Sequence, residues 1–480
     1  MLNAAPQCDL IELRLDKFGK APDIKEFLAQ KLKPVLVSCR RPQDGGHWSG
    51  SETERLALLR QCIIDKADYV EIELDVADQI RPFPGSQRVI SYTNMQGVPD
   101  DLAEIYERMR QCRPDVIKLT TLARTPDEAW PLVQIAARAT TPTVIVGLGK
   151  PGIMLSILGQ KIGMPWTYAA LERGLEAYPG QVTLADLKDI YRYGEISKST
   201  RLIGVMGFGL REVALLAMLN AGLAASGMSA RCLPLGLGSV GTFRKVIEAV
   251  KLAAVTVEDA AGVDLAELAA ACEGAAEGSG AVDLLVARED KTWYGHHLFV
   301  RAALTALEEA AQAKGGASDK PLTGRVVLII GANAPARGIA FGVRKRGGIP
   351  VLAARDRDLA QKLAGQFKCR FVPFEAIYST THDVLVVCSE ETLPGKGKSA
   401  ADGGLHPGIL RPGSLVLDWV HAPRDSSLIE EARARGCQVV SGRAILLALA
   451  GQTLQLLTGK PADQSVLEQA LNRAVGGEAA

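Results

Sequence analysis

The stretch Asp115–Thr121 reads D-V-I-K-L-T-T, a β-branched apolar run with a lysine at its centre. In a strand successive side chains point to opposite faces, which puts Val116, Lys118 and Thr120 on one face and Ile117 and Leu119 on the other. A lysine so placed has two readings. Its stem lies along the apolar face while the ammonium reaches water, or the ammonium is buried, its pKa falls, and the neutral amine can attack a carbonyl to form an imine. Outward from this run the chain to about Thr200 repeats the same unit. D-L-I-E-L-R-L (9–15), K-P-V-L-V-S-C (33–39), A-D-Y-V-E-I-E-L (67–74), Q-R-V-I-S-Y-T (87–93) and T-P-T-V-I-V-G-L (141–148) are strand-like, and stretches such as Glu52–Lys66 and Asp101–Cys112 between them carry helical spacing. Strands alternating with helices predict parallel neighbours joined by crossovers, and hence an α/β barrel with functional side chains at the strand C-terminal ends.

Other strands add to the lysine. Glu12 and Arg14 lie two apart on one face, and Arg40 ends the next run. Two arginine forks, a glutamate and a lysine converging at one end suit a hydroxylated ring acid.

The 480 residues exceed one compact core and predict two or three domains. With 55 basic and 54 acidic residues the formal charge is +1, which points away from nucleic acid and anionic membranes and toward small molecules. Nine scattered cysteines without a C-x-x-C pair read as reduced thiols, hence a cytoplasmic protein without a zinc site. No segment has the hydrophobic length of a membrane span. Oligomer formation is compatible with this composition.

A polar, aperiodic break, Y-R-Y-G-E-I-S-K-S-T (191–200), precedes a new strand at Arg201. Further on, Val326–Asp356 reads as strand, turn, helix, strand, the start of a dinucleotide-type fold, and strands at 382–389, 413–420 and 437–442 continue it. The tail from Ser465 reads as a surface helix that frays. Adjacent His296 and His297, lacking a ligand partner at metal spacing, read as surface or loop residues.

The motifs E-x-R-x-D (12–16), C-R-R-x-x-D-G-G-x-W-x-G (39–50), Y-V-E-I-E-L (69–74), I-K-L (117–119) and Y-P-G-Q (178–181) resemble, in order, the type I 3-dehydroquinate dehydratases over about the first 190 residues. The resemblance implies a Schiff base between Lys118 and a substrate ketone, with Glu12, Arg14, Arg40 and Gln181 binding substrate. It also marks departures. Thr93 stands where the family carries its acid/base histidine, and Ser156 where it carries an arginine for the substrate carboxylate. Nine residues precede Leu10 where the family has a full strand, so a barrel lacking its first strand, with two open edges, is expected.

From Arg201 to Gln452 the chain resembles shikimate dehydrogenases, through G-V-M-G (204–207), A-V-T-V (254–257), G-A-V-D (280–283) and the stretches at 326–337, 410–423 and 432–443. The implied lysine and aspartate that hold the substrate hydroxyl are replaced by Ala260 and Phe299, and F-G-L-R (208–211) replaces paired serines. In the nucleotide loop Gly331 remains, while Asn333 and Ala334 take glycine positions, Asn333 being able to adopt positive φ. Arg355, about twenty residues on, stands where an arginine would accept a 2′-phosphate, so a bound dinucleotide would be NADP; the dehydratase half needs no cofactor. The expected organisation is a (β/α)8-type barrel over residues 1–195, a shikimate-dehydrogenase-like substrate domain over 201–302 and a Rossmann-type domain over 303–480. The implied activity is dehydration of 3-dehydroquinate or a related carbonyl acid, with hydride transfer in the second half impaired. The alternative is a non-catalytic, metabolite-binding or regulatory relative.

Overall fold

The computed structural model describes residues 3–18, 23–178, 180–315, 319–390 and 405–477. The chain divides into two compact units, Met1–Thr200 with Leu233–Val246, and Arg201–Cys232 with Ile247–Ala480.

The first unit holds one sheet of six strands in sequential order: β1 (Ile11–Arg14), β2 (Val35–Ser38), β3 (Tyr69–Glu73), β4 (Gln87–Asn94), β5 (Val116–Leu122) and β6 (Thr143–Leu148). All neighbours run parallel. Parallel pairing requires crossovers, and the segments between strands supply them. The helix Glu52–Ile64 opens on a full capping box between Ser51 and Glu54, and Thr125 caps the helix Pro126–Arg138. The inner face packs Leu36, Val89, Val116, Val144, Val146 and Leu148 against Trp166, Tyr168 and Tyr178. The strand runs seen in the sequence therefore form an arc ending at β1 and β6. Where a complete barrel would add strands after β6, the described chain makes a single parallel bridge, Ala170 to Thr183.

The second unit carries two further sheets. One has the order β10 (Ala269–Cys272), β12 (Trp293–His296), β11 (Leu284–Ala287), β9 (Leu252–Thr256), β7 (Arg201–Met206) and the opening residues of β8 (Ala230–Leu235), with β11 antiparallel to both its neighbours. The other is fully parallel, in the order β15 (Arg370–Phe371), β14 (Ile349–Ala353), β13 (Val326–Ile330), β16 (Val384–Val387), β17 (Leu415–Asp418) and β18 (Gln438–Val440). The first strand lies at the centre and the order reverses beside it, the doubly wound arrangement of dinucleotide-binding folds.

Two expectations are corrected here. The tail does not fray at the surface: the helix Gln464–Gly477 buries Leu467, Leu471 and Ala474 and packs against the helix Leu210–Ala225. Its apolar positions, spaced three to four apart, form a face that has found a partner. Nor is His297, in the connection between β12 and the helix that follows, at the surface. It is 1% exposed, its Nδ1 lies 2.9 Å from Ser279 Oγ, and burial pulls its pKa down to about 4. A neutral imidazole with one hydrogen bond fills an interior position there.

Candidate active site

Lys118 projects from the middle of β5 to the inner face and is 2% exposed. Its Nζ donates to Glu71 Oε2 on β3 at 2.7 Å and stands 4.0 Å from Glu12 Oε1 on β1. The ring of Tyr168 lies beneath it, 4.4 Å from centroid to Nζ. Arg40, just past β2, closes the group: its Nη2 donates to Glu12 at 2.9 Å and its Nε is 3.6 Å from Glu71. Ser38 donates to the same Glu12 oxygen at 2.7 Å. The cluster is two cations facing two carboxylates, and isolated ions in such a place would not stay charged.

Electrostatics follow from this packing. Burial, followed by the neighbouring Arg40 guanidinium, lowers the Lys118 pKa; Glu71 and Glu12 oppose that fall. Burial alone would raise the Glu12 carboxyl, but Lys118 and Arg40 outweigh it and hold it well below the usual range. Burial pushes the Tyr168 hydroxyl well above its ordinary value and the Tyr178 hydroxyl up to about 12.

Above the lysine lies a cavity lined by Glu12, Arg14, Arg40, Thr93, Lys118, Thr120, Tyr168, Tyr178 and Gln181 among others. All five residues expected to form the site thus face one space. Arg14 is fixed by a bidentate pair with Asp16, at 2.9 and 2.7 Å, and Asp16 also accepts the amides of Arg40 and His47. Gln181 folds back, its Oε1 accepting the Ala177 amide at 2.6 Å. Thr93 lines the cavity where the resemblance places a histidine, whereas Ser156 is buried in the helix Ile153–Ile162 and is not part of the lining. The hydroxyls of Thr120 and Tyr168, which line the cavity, are buried without a hydrogen-bond partner among the described residues.

The sequence reading did not single out Glu71, Tyr168 or Tyr178. Glu71 had a signal: in Y-V-E-I-E it interrupts a buried parallel strand, where an unpaired carboxylate is costly.

In the second unit the dinucleotide loop follows β13. Gly331 has φ +125°, and a Cβ there would lie 2.6 Å from Ser389 Oγ, so glycine is required. Asn333 departs from expectation, with φ −75°: it caps the helix Ala334–Lys345, accepting the Ala336 amide at 3.2 Å and donating to the Cys388 carbonyl at 2.7 Å. Pro335 has no amide to give, so two positions of this first turn offer nothing to a pyrophosphate. Arg355 follows β14, 5.7 Å from the ring of Phe374. Phe299 is buried against Trp419, with centroids 4.7 Å apart, while Ala260 is exposed.

A parallel β/α arc with a buried lysine among carboxylates and arginines at its inner face is an α/β arrangement in which an amine can meet a carbonyl. Residues 2–198 match the family model described as type I 3-dehydroquinase. A Methanopyrus kandleri 3-dehydroquinate dehydratase is 30% identical over 189 residues, 38% of this chain and 86% of that one. The chain belongs to the type I 3-dehydroquinase family. A chloroplastic bifunctional 3-dehydroquinate dehydratase/shikimate dehydrogenase of Arabidopsis thaliana is 26% identical over 97% of this chain and 80% of its own length. Among solved structures, the dehydroquinate dehydratase and shikimate dehydrogenase portion of an S. pombe protein covers 98% of this chain at 18% identity and TM-score 0.41. A shikimate dehydrogenase of Aquifex aeolicus covers 57% at 20% identity and TM-score 0.48.

Proposed function

We propose that the first unit dehydrates 3-dehydroquinate, or a closely related cyclic keto acid, through an imine at Lys118. The carrying observation is the hydrogen bond from Lys118 to Glu71, with Lys118 facing a cavity also lined by Arg14, Arg40 and Gln181. Glu71 takes one proton from the Lys118 ammonium, leaving an amine that attacks the ketone carbon. The carbinolamine hydroxyl leaves as water with the proton from Glu71, and a cationic imine remains beside the regenerated carboxylate. The imine acidifies the adjacent C–H. Glu71 accepts that proton and returns it to the departing β-hydroxyl, which leaves as water; hydrolysis of the product imine by a second water frees the ketone and restores Lys118, so the net change is loss of one water. In the place of a histidine, Thr93 supplies a hydroxyl and no titrating group. Arg14 and Arg40 supply cationic faces for a carboxylate or ring hydroxyls.

The second unit is read as a shikimate-dehydrogenase-like scaffold. Arg355 and Gly331 would meet the adenosine and phosphate ends of NADP, which would serve as hydride carrier. The capped, proline-bearing first turn does not fit its pyrophosphate. Ala260 and Phe299 in place of polar groups support weak hydride transfer. No described helix is long and apolar enough to cross a membrane; the unpaired thiols favour a cytoplasmic setting.

The test is intact-protein mass after mixing with 3-dehydroquinate and borohydride. The expected result is one reduced adduct, absent in Lys118→Ala. A folded protein without an adduct overturns the reading, and Thr93 and Ser156 would then favour a non-catalytic metabolite-binding relative.

A further inference from the structure

A second cavity lies within the second unit at the C-terminal ends of β7 and β9, a place where open α/β sheets receive ligands. One wall is apolar: Leu215, Phe299, Leu446 and Leu449. The other carries four carboxylates and a single cation, Arg211. Arg211 is fully committed. It pairs with Asp259 at 2.8 Å and Glu212 at 3.0 Å, and its guanidinium lies 4.7 Å from the centroid of the Trp419 ring. Trp419 Nε1 donates to Asp259 at 2.9 Å, and Asp283 accepts the amides of Leu298 and Phe299 at the start of a helix, at 2.8 and 2.6 Å. Three carboxylates are thus compensated.

Glu258 is the exception. Its carboxylate makes no hydrogen bond or ion pair among the described residues, and burial, followed by Glu212 and Asp259, raises its pKa. A close approach has been built to bring it here: Gly207, at φ +102°, leaves room that a Cβ would fill, 2.5 Å from Glu212 and 3.2 Å from the Glu258 carboxylate. Independently, Thr256 lines the same cavity, is 4% exposed, and its hydroxyl has no partner among the described residues. A buried hydroxyl left open next to an uncompensated carboxylate is a pair of acceptors awaiting a cationic donor.

We propose that this cavity binds a small organic cation, a primary or secondary ammonium on a compact apolar body, with Glu258 as counter-ion and the Thr256 hydroxyl accepting a second N–H. The apolar wall takes the body. A carboxylate ligand would meet the uncompensated Glu258 carboxylate and a guanidinium already in use, so the cavity discriminates by charge against the ring acids that suit the first unit.

The test is isothermal titration calorimetry of the full chain near neutral pH with cyclohexylammonium and with cyclohexanecarboxylate. The expected result is saturable binding of the amine, no binding of the acid, and about a ten- to hundredfold loss of amine affinity in Glu258→Gln, the range of a charge-assisted hydrogen bond. Thr256→Val, of matching shape, is expected to weaken the amine further without restoring the acid. Absence of amine binding, equal amine binding in Glu258→Gln, or preference for the acid each overturns the proposal. Neither variant touches the Lys118 cluster, so the outcome is independent of the dehydratase reading.

Discussion

A lysine that is 2% exposed keeps a proton only while carboxylates face it, and Lys118 has Glu71 at 2.7 Å and Glu12 at 4.0 Å. Removing Glu71 leaves desolvation and Arg40 to act on the amine, and both lower its pKa. In Glu71→Gln, the pH at which borohydride trapping rises to its plateau is therefore expected to move to lower pH, while steady-state dehydration falls by about 10²- to 10⁴-fold, as for a lost acid/base group. An unmoved trapping profile with normal turnover would remove Glu71 from the chemistry. Much of this cluster was legible beforehand. Glu12, Arg14, Arg40 and Lys118 stand out because charged residues on the inner side of parallel strands are rare. Glu71 was legible only as part of a motif, because its partner is 47 positions away and no local spacing records that distance.

Strand runs in the first 150 residues were readable because each is β-branched, short and bounded by polar residues, and parallel pairing follows from the helices between them. Helix fate was harder. The tail helix mixes polar residues with apolar ones, and its burial depends on three apolar residues meeting the helix Leu210–Ala225. Leu471→Ala is expected to cost about 2–5 kcal/mol, the usual penalty for an emptied, fully buried leucine site, and Leu467→Ala a similar amount. Chemical denaturation measures both; a change within about 0.5 kcal/mol would return the tail to the surface. The nucleotide turn departs from expectation for a comparable reason. Asn333 was read as a substitute for glycine in backbone conformation, yet its side chain is engaged with Ala336 and Cys388, a carbonyl 55 residues on. That second partner exists only once β13 and β16 pair.

Across the molecule, interior titrating groups make stability depend on pH in opposite senses. His297 has its pKa lowered by burial from 6.5 to about 4, so between these values the unfolded chain binds a proton that the folded chain does not. Its contribution is present above about 6.5 and is lost as pH falls toward 4, on the order of 3 kcal/mol in total. Asp283 works the other way: burial raises it to about 7, so its contribution is present below its ordinary value and lost as pH rises through 7. The total pH dependence is a partial cancellation, and a difference isolates the histidine. The stability gap between the parent and His297→Gln is expected to shrink by about 2–3 kcal/mol between pH 7 and about pH 4.5. A gap that stays constant would mean that the buried imidazole does not govern acid stability. From the order of residues alone came the alternation of strands and helices, the break before Arg201, the family and the charged side chains of one site, because periodicity and charge are local properties of a chain. Folding was needed to choose which lysine proton has a taker, which arginine is already in use and which carboxylate, Glu258, lacks a partner. Those outcomes rest on desolvation and on Coulomb energies over a few ångströms, and such distances arise only between segments that the fold brings together.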